Sequence, residues 1–239
     1  MRSSPVICLI HGHGVDASIW DDIYPALSEN KSVLKPDFSR LTNYSTIEAY
    51  AEDLHARLKM AQVEEVILIG HSMGGYIALA FAEEYPDMVR GLILFHSTAY
   101  ADDAAKKEQR AKTVDALAKE GSAPFINGLM AKLVASTYPP EQVNRLVERF
   151  QGLPAAALIA GMKAMAERPD RTDVLRNAQF PVLVVLGQED QVIPFEQASQ
   201  MAGLSSRINM SALNNAGHLS MVEQPEQALS ILKPFIDQF

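Results

Sequence analysis

The sequence predicts an α/β protein: a mostly parallel sheet of about six strands flanked by helices, with an all-helical insertion. Three observations predict it. Short apolar runs alternate with helical patterns along most of the chain. The central runs are apolar throughout instead of alternating, as strands covered on both faces are. One stretch of about 80 residues, 101–179, contains no strand pattern and is too long for a loop.

The elements follow in order. Val6–Ile10 is a compact apolar run ending at "HGHG". A helix is expected over 19–27, with Ser18 or Asp16 near its start. A short strand falls at 32–35. Ile47, Tyr50, Ala51, Leu54, Leu58 and Ala61 recur at helical spacing, so 46–61 is an amphipathic helix. The β-branched run 66–69 is a strand. A helix over 74–85 is stopped by Pro86, and 92–95 is a strand.

Prolines then punctuate four helical patterns at 102–120, 125–135, 141–150 and 155–167. Pro181 precedes the buried strand "VLVVLG", and 208–213 is a weaker strand. A final helix spans 225–239, which Pro234 kinks or divides. Residues 1–100 and 180–239 therefore form the core, and 101–179 form a helical cap.

Composition bounds the function. The chain has 239 residues, 48% hydrophobic and 21% charged, as an ordinary globular protein does. A net charge of −8 argues against nucleic acid as the main partner, because phosphate binding needs a basic face. The one cysteine, Cys8, lies in an apolar run and has no partner within the chain, which fits a reducing compartment. No apolar run approaches the ~18 residues of a membrane span. "VICLI" is short, lacks a small-residue cleavage site and leads into "HGHG", so it reads as a core strand of a cytoplasmic protein and not a signal peptide. Residues 101–180 hold 12 Lys and Arg against 10 Asp and Glu, leaving 9 against 19 elsewhere. Solvated helix faces explain this; a basic lid meeting an acidic partner is the sharper alternative.

Gly70-His71-Ser72-Met73-Gly74 fits G-x-S-x-G, a weak pattern alone. Here it follows a strand and opens a helix, which is the context the motif requires. Gly70 and Gly74 let strand and helix approach without side-chain collision. The hydroxyl then projects above the carboxyl edge of the sheet, where open α/β folds place ligands. A serine needs a base, and the base an orienting carboxylate. Six histidines are available: 11, 13, 55, 71, 96 and 218. His55 lies on the outer face of its helix and is solvated. His71 adjoins Ser72 and does not point at its neighbour's hydroxyl. His218 lies in a polar loop after the last strand. Asp190 lies just past the strand before it, 28 residues earlier. Glu189 beside it faces away. His96, at a strand end, is either a satisfied buried histidine or, as a candidate, part of the pocket below the cap. Asp102 and Asp103 are expected to begin a cap helix, an alternative acid being the other reading.

With "HGHG", "GHSMGG", "GQEDQVIP" and "GHLSMVEQPE" in this order, the chain resembles an α/β-hydrolase fold enzyme with an inserted helical cap. The resemblance covers nearly the whole length. It implies Ser72 as nucleophile, His218 as general base then acid, and Asp190 as its orienter. It also implies an oxyanion hole from the backbone N–H groups of His13 and Met73. The chain departs from many family members in starting too late for an N-terminal hairpin, so the resemblance implies a six-strand sheet in the order 2-1-3-4-5-6. The chain also reads "PDFSRLT" where Pro-Asp-x-x-Gly-x-Gly is frequent.

The constellation supports acyl transfer to water through an acyl-serine. Aspartate is absent at position 72, which disfavours dehalogenase and epoxide-hydrolase chemistry. No metal cluster or phosphate-cradling loop is read, so no cofactor is expected. The expected substrate is a small or medium, partly apolar carboxylic ester. Alternatives on the same residues are a lactonase, a perhydrolase, a C–C bond hydrolase, or an esterase acting on an acidic carrier protein that meets Lys106, Lys107 and Arg110. A lid-signalling ligand receptor is the non-catalytic alternative. Monomer and homodimer are both compatible with the sequence.

Overall fold

A computed structural model describes residues 4–239. Six strands form one parallel sheet: β1 (Val6–Ile10), β2 (Val33–Leu34), β3 (Val66–His71), β4 (Val89–Phe95), β5 (Val182–Gly187) and β6 (Ile208–Leu213). The order is β2-β1-β3-β4-β5-β6, with every neighbouring pair parallel. Every residue of β3 and β5 is buried, which is why neither alternates. Registers Ile10↔Gly70, His71↔Phe95 and Phe95↔Val185 bring the carboxyl ends of β1, β3, β4 and β5 to one edge.

The flanking helices form where apolar residues recur on one face. In α2 (Ile47–Met60), Ile47, Tyr50, Ala51, Leu54 and Leu58 are buried, and the Thr46 side chain caps the start by accepting from Ala49 N–H at 3.2 Å. α3 (Met73–Glu84) is buried from Met73 to Ala82, being sandwiched between the sheet and α2. α11 (Pro225–Ile236) runs unbroken through Pro234. The expected kink or division does not divide it. The proline falls in the last turn, and the single carbonyl it orphans belongs to exposed Ser230.

The helix expected over 19–27 is two elements, a 3-10 turn Ala17–Trp20 and α1 (Tyr24–Ser28). Pro25 is the reason: without an N–H it fits only the first turn, so a new helix starts around it. Asp16 caps the 3-10 turn through Ser18 N–H at 2.8 Å. Three short helices also escape the sequence pattern: α8 (Thr172–Asn177), α9 (Phe195–Ala202) and α10 (Ser220–Glu223).

Between β4 and α8 run four helices, α4 (Ala104–Glu120), α5 (Ser122–Leu133), α6 (Pro140–Phe150) and α7 (Ala155–Glu167). α4 packs on α7, and α5 on α6. Asp103 caps α4 through Lys106 N–H at 2.8 Å. Asp102 does something else. Its buried carboxylate pairs with Arg110 of α4 and, at 2.9 Å, with Arg168 just beyond α7. Burial alone would raise the Asp102 pKa, but the two guanidinium groups outweigh it and keep the carboxyl ionised. Arg168 also donates to the carbonyls of Met165 and Tyr100 and lies 3.9 Å from the Tyr76 ring centroid on α3. One carboxylate therefore ties the entry of the four-helix segment to its exit and, through Arg168, to the core.

Replacing Asp102→Ala leaves Arg168, whose side chain is 3% exposed, without its counter-charge. Breaking a buried pair this way costs about 3 kcal/mol. Urea unfolding checks it; a loss below about 0.5 kcal/mol, the range of ordinary surface changes, contradicts this role.

Candidate active site

β3 ends at His71, and Ser72 follows with φ 51° and ψ −116°. This left-handed backbone is costly for a side-chain-bearing residue and persists where neighbours over-determine it. They do so here. A Cβ at Gly70 would lie 2.4 Å from the Gly74 carbonyl, and one at Gly74 would lie 2.3 Å from the Ile10 carbonyl. The strand and helix thus touch backbone to backbone, and the turn between them has one way to go. Ser72 N–H donates to the Phe95 carbonyl at 3.1 Å, and the Ser72 carbonyl accepts from Ser97 Oγ at 2.7 Å and Gly75 N–H at 2.9 Å. The side chain is left partly exposed.

Asp190 sits in the turn after β5. Its Oδ1 accepts from Val192 N–H at 2.8 Å and Ile193 N–H at 3.0 Å. Its Oδ2 accepts from His218 Nδ1 and from His96 Nδ1, each at 2.8 Å. The side chain is fully buried. Burial alone would raise its pKa; the charge and hydrogen bond of His218, then those of His96, outweigh it and hold the carboxyl well below the usual carboxylate range. An acceptor-only carboxylate requires the proton on His218 Nδ1, which leaves Nε2 as the basic nitrogen.

The loop carrying His218 is held from three sides. His218 N–H donates to the Leu133 carbonyl at 2.8 Å. The Glu223 carboxylate of α10 accepts from Gly217, Leu219 and Ala135 N–H, joining this loop to the end of α5. His71 Nε2–H donates to the His218 carbonyl at 2.9 Å, and the two rings lie 4.8 Å apart. His71 therefore turns away from Ser72, as expected, but it binds the histidine loop to the elbow. Burial holds its pKa well below the ordinary value, with His218 and His96 adding to that, so it is neutral.

The "HGHG" loop lies against the elbow, with Gly12 packed on the His71 ring and the Ser72 side chain. His11 accepts from Phe38 N–H through Nε2 at 2.8 Å, fixing the loop to the segment after β2. His13 Nε2–H donates to the Leu158 carbonyl of α7 at 2.8 Å. Burial lowers the His13 pKa to about 4. Met73 opens α3, and the first N–H groups of a helix have no intrahelical acceptor. The narrow space beside these residues is lined by His13, Met73, Leu153, Leu158 and Gly161. A larger groove of about 570 Å³ lies farther out, between α4, α7 and the start of α2.

Two sequence expectations change. His96 is fully buried and bonded to Asp190 and Ser220, so it lies behind the carboxylate and not in the pocket wall. His55 is half-buried and stacks on Tyr85, with centroids 3.8 Å apart at 9°, because α2 packs against α3. Glu189 does face away, accepting from Ser136. The sequence does not reveal the supporting roles of His71, Ser97, Ser220 and Glu223; its signals are the two polar residues, His96 and Ser97, that directly follow the apolar β4 and the glutamate of "SMVEQP". His96, Asp190 and His218 bring one donor atom each within 4.8 Å of one another, the one such trio among the described residues. Their donor atoms already bond each other at 2.8 Å, so the trio reads as a hydrogen-bond chain and not a metal centre.

A serine elbow, a buried carboxylate and a histidine held by it at one sheet edge define a hydrolase-type α/β protein. The chain matches the model of the Alpha/beta hydrolase family over residues 7–230, and it belongs to that family. It is similar to a thermophilic esterase from Thermogutta terrifontis, with a TM-score of 0.92 and 29% identity over 100% of this chain and 91% of that one. The enol-lactonase of Burkholderia xenovorans shares the fold, with a TM-score of 0.88 and 20% identity over 99% of this chain and 92% of that one. Among curated relatives, 2-hydroxy-6-oxo-2,4-heptadienoate hydrolase of Pseudomonas putida is 26% identical over 98% of this chain and 89% of its own. No helix of the described residues is long and apolar enough to cross a membrane.

The buried histidines predict acid sensitivity. The folded His13 pKa of about 4 lies below the ordinary value of about 6.5. The unfolded chain therefore binds more protons between these values, and stability is full above about 6.5 and falls as pH drops toward 4. His71 and His96, also lowered by burial, act in the same direction. His13→Gln retains a donor for Leu158 and loses the titration, so melting temperature should fall less over this window than in the wild type. An equal fall in both contradicts the assignment.

Proposed function

We propose that the protein is a serine hydrolase of carboxylic esters, with Ser72 as nucleophile, His218 as general base then acid, and Asp190 as its orienter. One observation carries this reading: a serine at φ 51° on the β3–α3 turn, at the sheet edge that also carries a histidine whose Nδ1 is bonded at 2.8 Å to a fully buried carboxylate. Ser72 Oγ attacks the acyl carbon and its proton passes to His218 Nε2. Asp190 stabilises the imidazolium without taking its proton. The backbone N–H groups of Met73 and His13 receive the oxyanion; each such donor is worth about 3 kcal/mol in barrier. His218 then gives the proton to the leaving alcohol, and water repeats the sequence on the acyl-serine.

The helices α4–α7 act as the cap. The His13 bond to Leu158 ties the loop bearing one oxyanion donor to α7. Met73, Leu153 and Leu158 offer an apolar wall, which favours a small or medium, partly apolar acyl group and keeps water from the site. A dienoate C–C substrate is the second reading, favoured by the 26% identical heptadienoate hydrolase.

Ser72→Ala should lower kcat/KM on short p-nitrophenyl esters by at least about 10⁴-fold, and Asp190→Asn by about 10³–10⁴-fold. Undiminished turnover by pure Ser72→Ala protein contradicts the proposal. Running the same enzyme on a 2-hydroxy-6-oxo-dienoate decides between the two substrate readings.

A further inference from the structure

His96 directly follows β4 with φ 52°, fully buried. Like Ser72 it has a positive φ, at the end of the neighbouring strand. Strain of this kind at a side-chain-bearing residue marks a site the fold over-determines, and the proposed mechanism so far gives His96 nothing to do. Yet its Nδ1 lies 2.8 Å from the same Asp190 Oδ2 that His218 uses. On its other side, Nε2 lies 2.6 Å from Ser220 Oγ.

These contacts select one protonation state. The Asp190 carboxylate only accepts, so His96 Nδ1 carries the proton. The ring is neutral, so Nε2 is an acceptor and Ser220 supplies the hydroxyl proton. The Gly187 N–H stands 3.4 Å from Nδ1, a contact too long to compete. Burial lowers the His96 pKa despite the bond to Asp190, which favours the neutral ring. The result is a chain of four residues, Ser220 to His96 to Asp190 to His218.

We infer that His96 is a positioning residue for the proposed reaction, holding Asp190 in place with its Nδ1–H and drawing on the charge that Asp190 otherwise gives to His218. The inference rests on the Ser72–His218–Asp190 reading of the site. A hydrogen bond to a carboxylate stabilises its charge and makes it a weaker acceptor for any other donor. His96 therefore limits how strongly Asp190 favours the protonated His218, and keeps that histidine available as a base. The other groups facing His218 and Asp190 do not supply this. His71, from the end of β3, is neutral and directs Nε2 to the His218 carbonyl. Glu223, from α10, is occupied by three backbone N–H groups, and adds negative charge near Asp190.

Two substitutions separate the contacts. The Asn side-chain amide falls where Nδ1 stood and tolerates positive φ; the Gln amide reaches toward Nε2 and Ser220 and leaves Asp190. In pH profiles of kcat/KM, His96→Asn should keep the acid limb within ~0.2 units of the wild type, whereas His96→Gln should raise it by ~0.5–1 unit and lower kcat about 10-fold. Equal acid limbs in all three proteins, or equal displacement in both variants, overturns the inference. Nitrogen-15 NMR of the unaltered protein tests it without a variant. A neutral, Nδ1-protonated His96 from about pH 5 to 9 supports it; an Nε2-protonated or cationic ring overturns it. The NMR result stands even if no ester is turned over, which would count against the esterase reading instead.

Discussion

The structure depends on the backbone contact between β3 and α3. With Gly70 and Gly74 lying against each other and against β1, the chain cannot turn from strand to helix in an ordinary conformation, and Ser72 takes the left-handed one. Everything near the serine is arranged around that turn. Its carbonyl is held by Ser97 from β4's end, and its amide by Phe95. The residue before it, His71, bonds the loop that bears His218. A strained turn supported on both sides presents the hydroxyl without needing any contact from the hydroxyl itself.

Around the elbow the histidines divide by task more than by type. His11 fixes the first loop to Phe38, His13 ties that loop to α7, His71 tethers the loop of His218, and His96 bonds Asp190. Burial lowers the pKa of His13, His71 and His96 and so favours their neutral forms. A neutral imidazole offers one donor and one acceptor, which suits it to chains of this kind. The arrangement also links distant parts: Asp102 joins the two ends of the four-helix segment, Arg168 carries that link to Tyr76 on α3, and His13 meets the segment at Leu158 of α7.

Much of this was legible in the sequence because it depends on local pattern. The parallel sheet and the strandless stretch after β4 follow from apolar runs and their spacing, the strand order from the family resemblance, and the elbow from two glycines around a serine at a strand end. What was not legible depends on tertiary contact. The sequence leaves His96 open between a buried histidine and a pocket residue, because nothing in "LFHSTAY" says that its ring meets the Asp190 carboxylate. Glu223 lies in a short helix that the sequence reads as loop, and its three backbone partners come from two separate segments. Pro25 was visible, but a continuous apolar pattern over 19–27 outweighed it, and the chain broke where the missing N–H requires.

The central claim is that Ser72 is activated by His218. The most direct test is to treat the pure protein with a fluorophosphonate and locate the adduct by mass spectrometry, alongside a His218→Ala variant. A single adduct on Ser72 in the wild type, formed far more slowly without His218, is the predicted result. An unlabelled Ser72, or one labelled equally fast in both proteins, contradicts it.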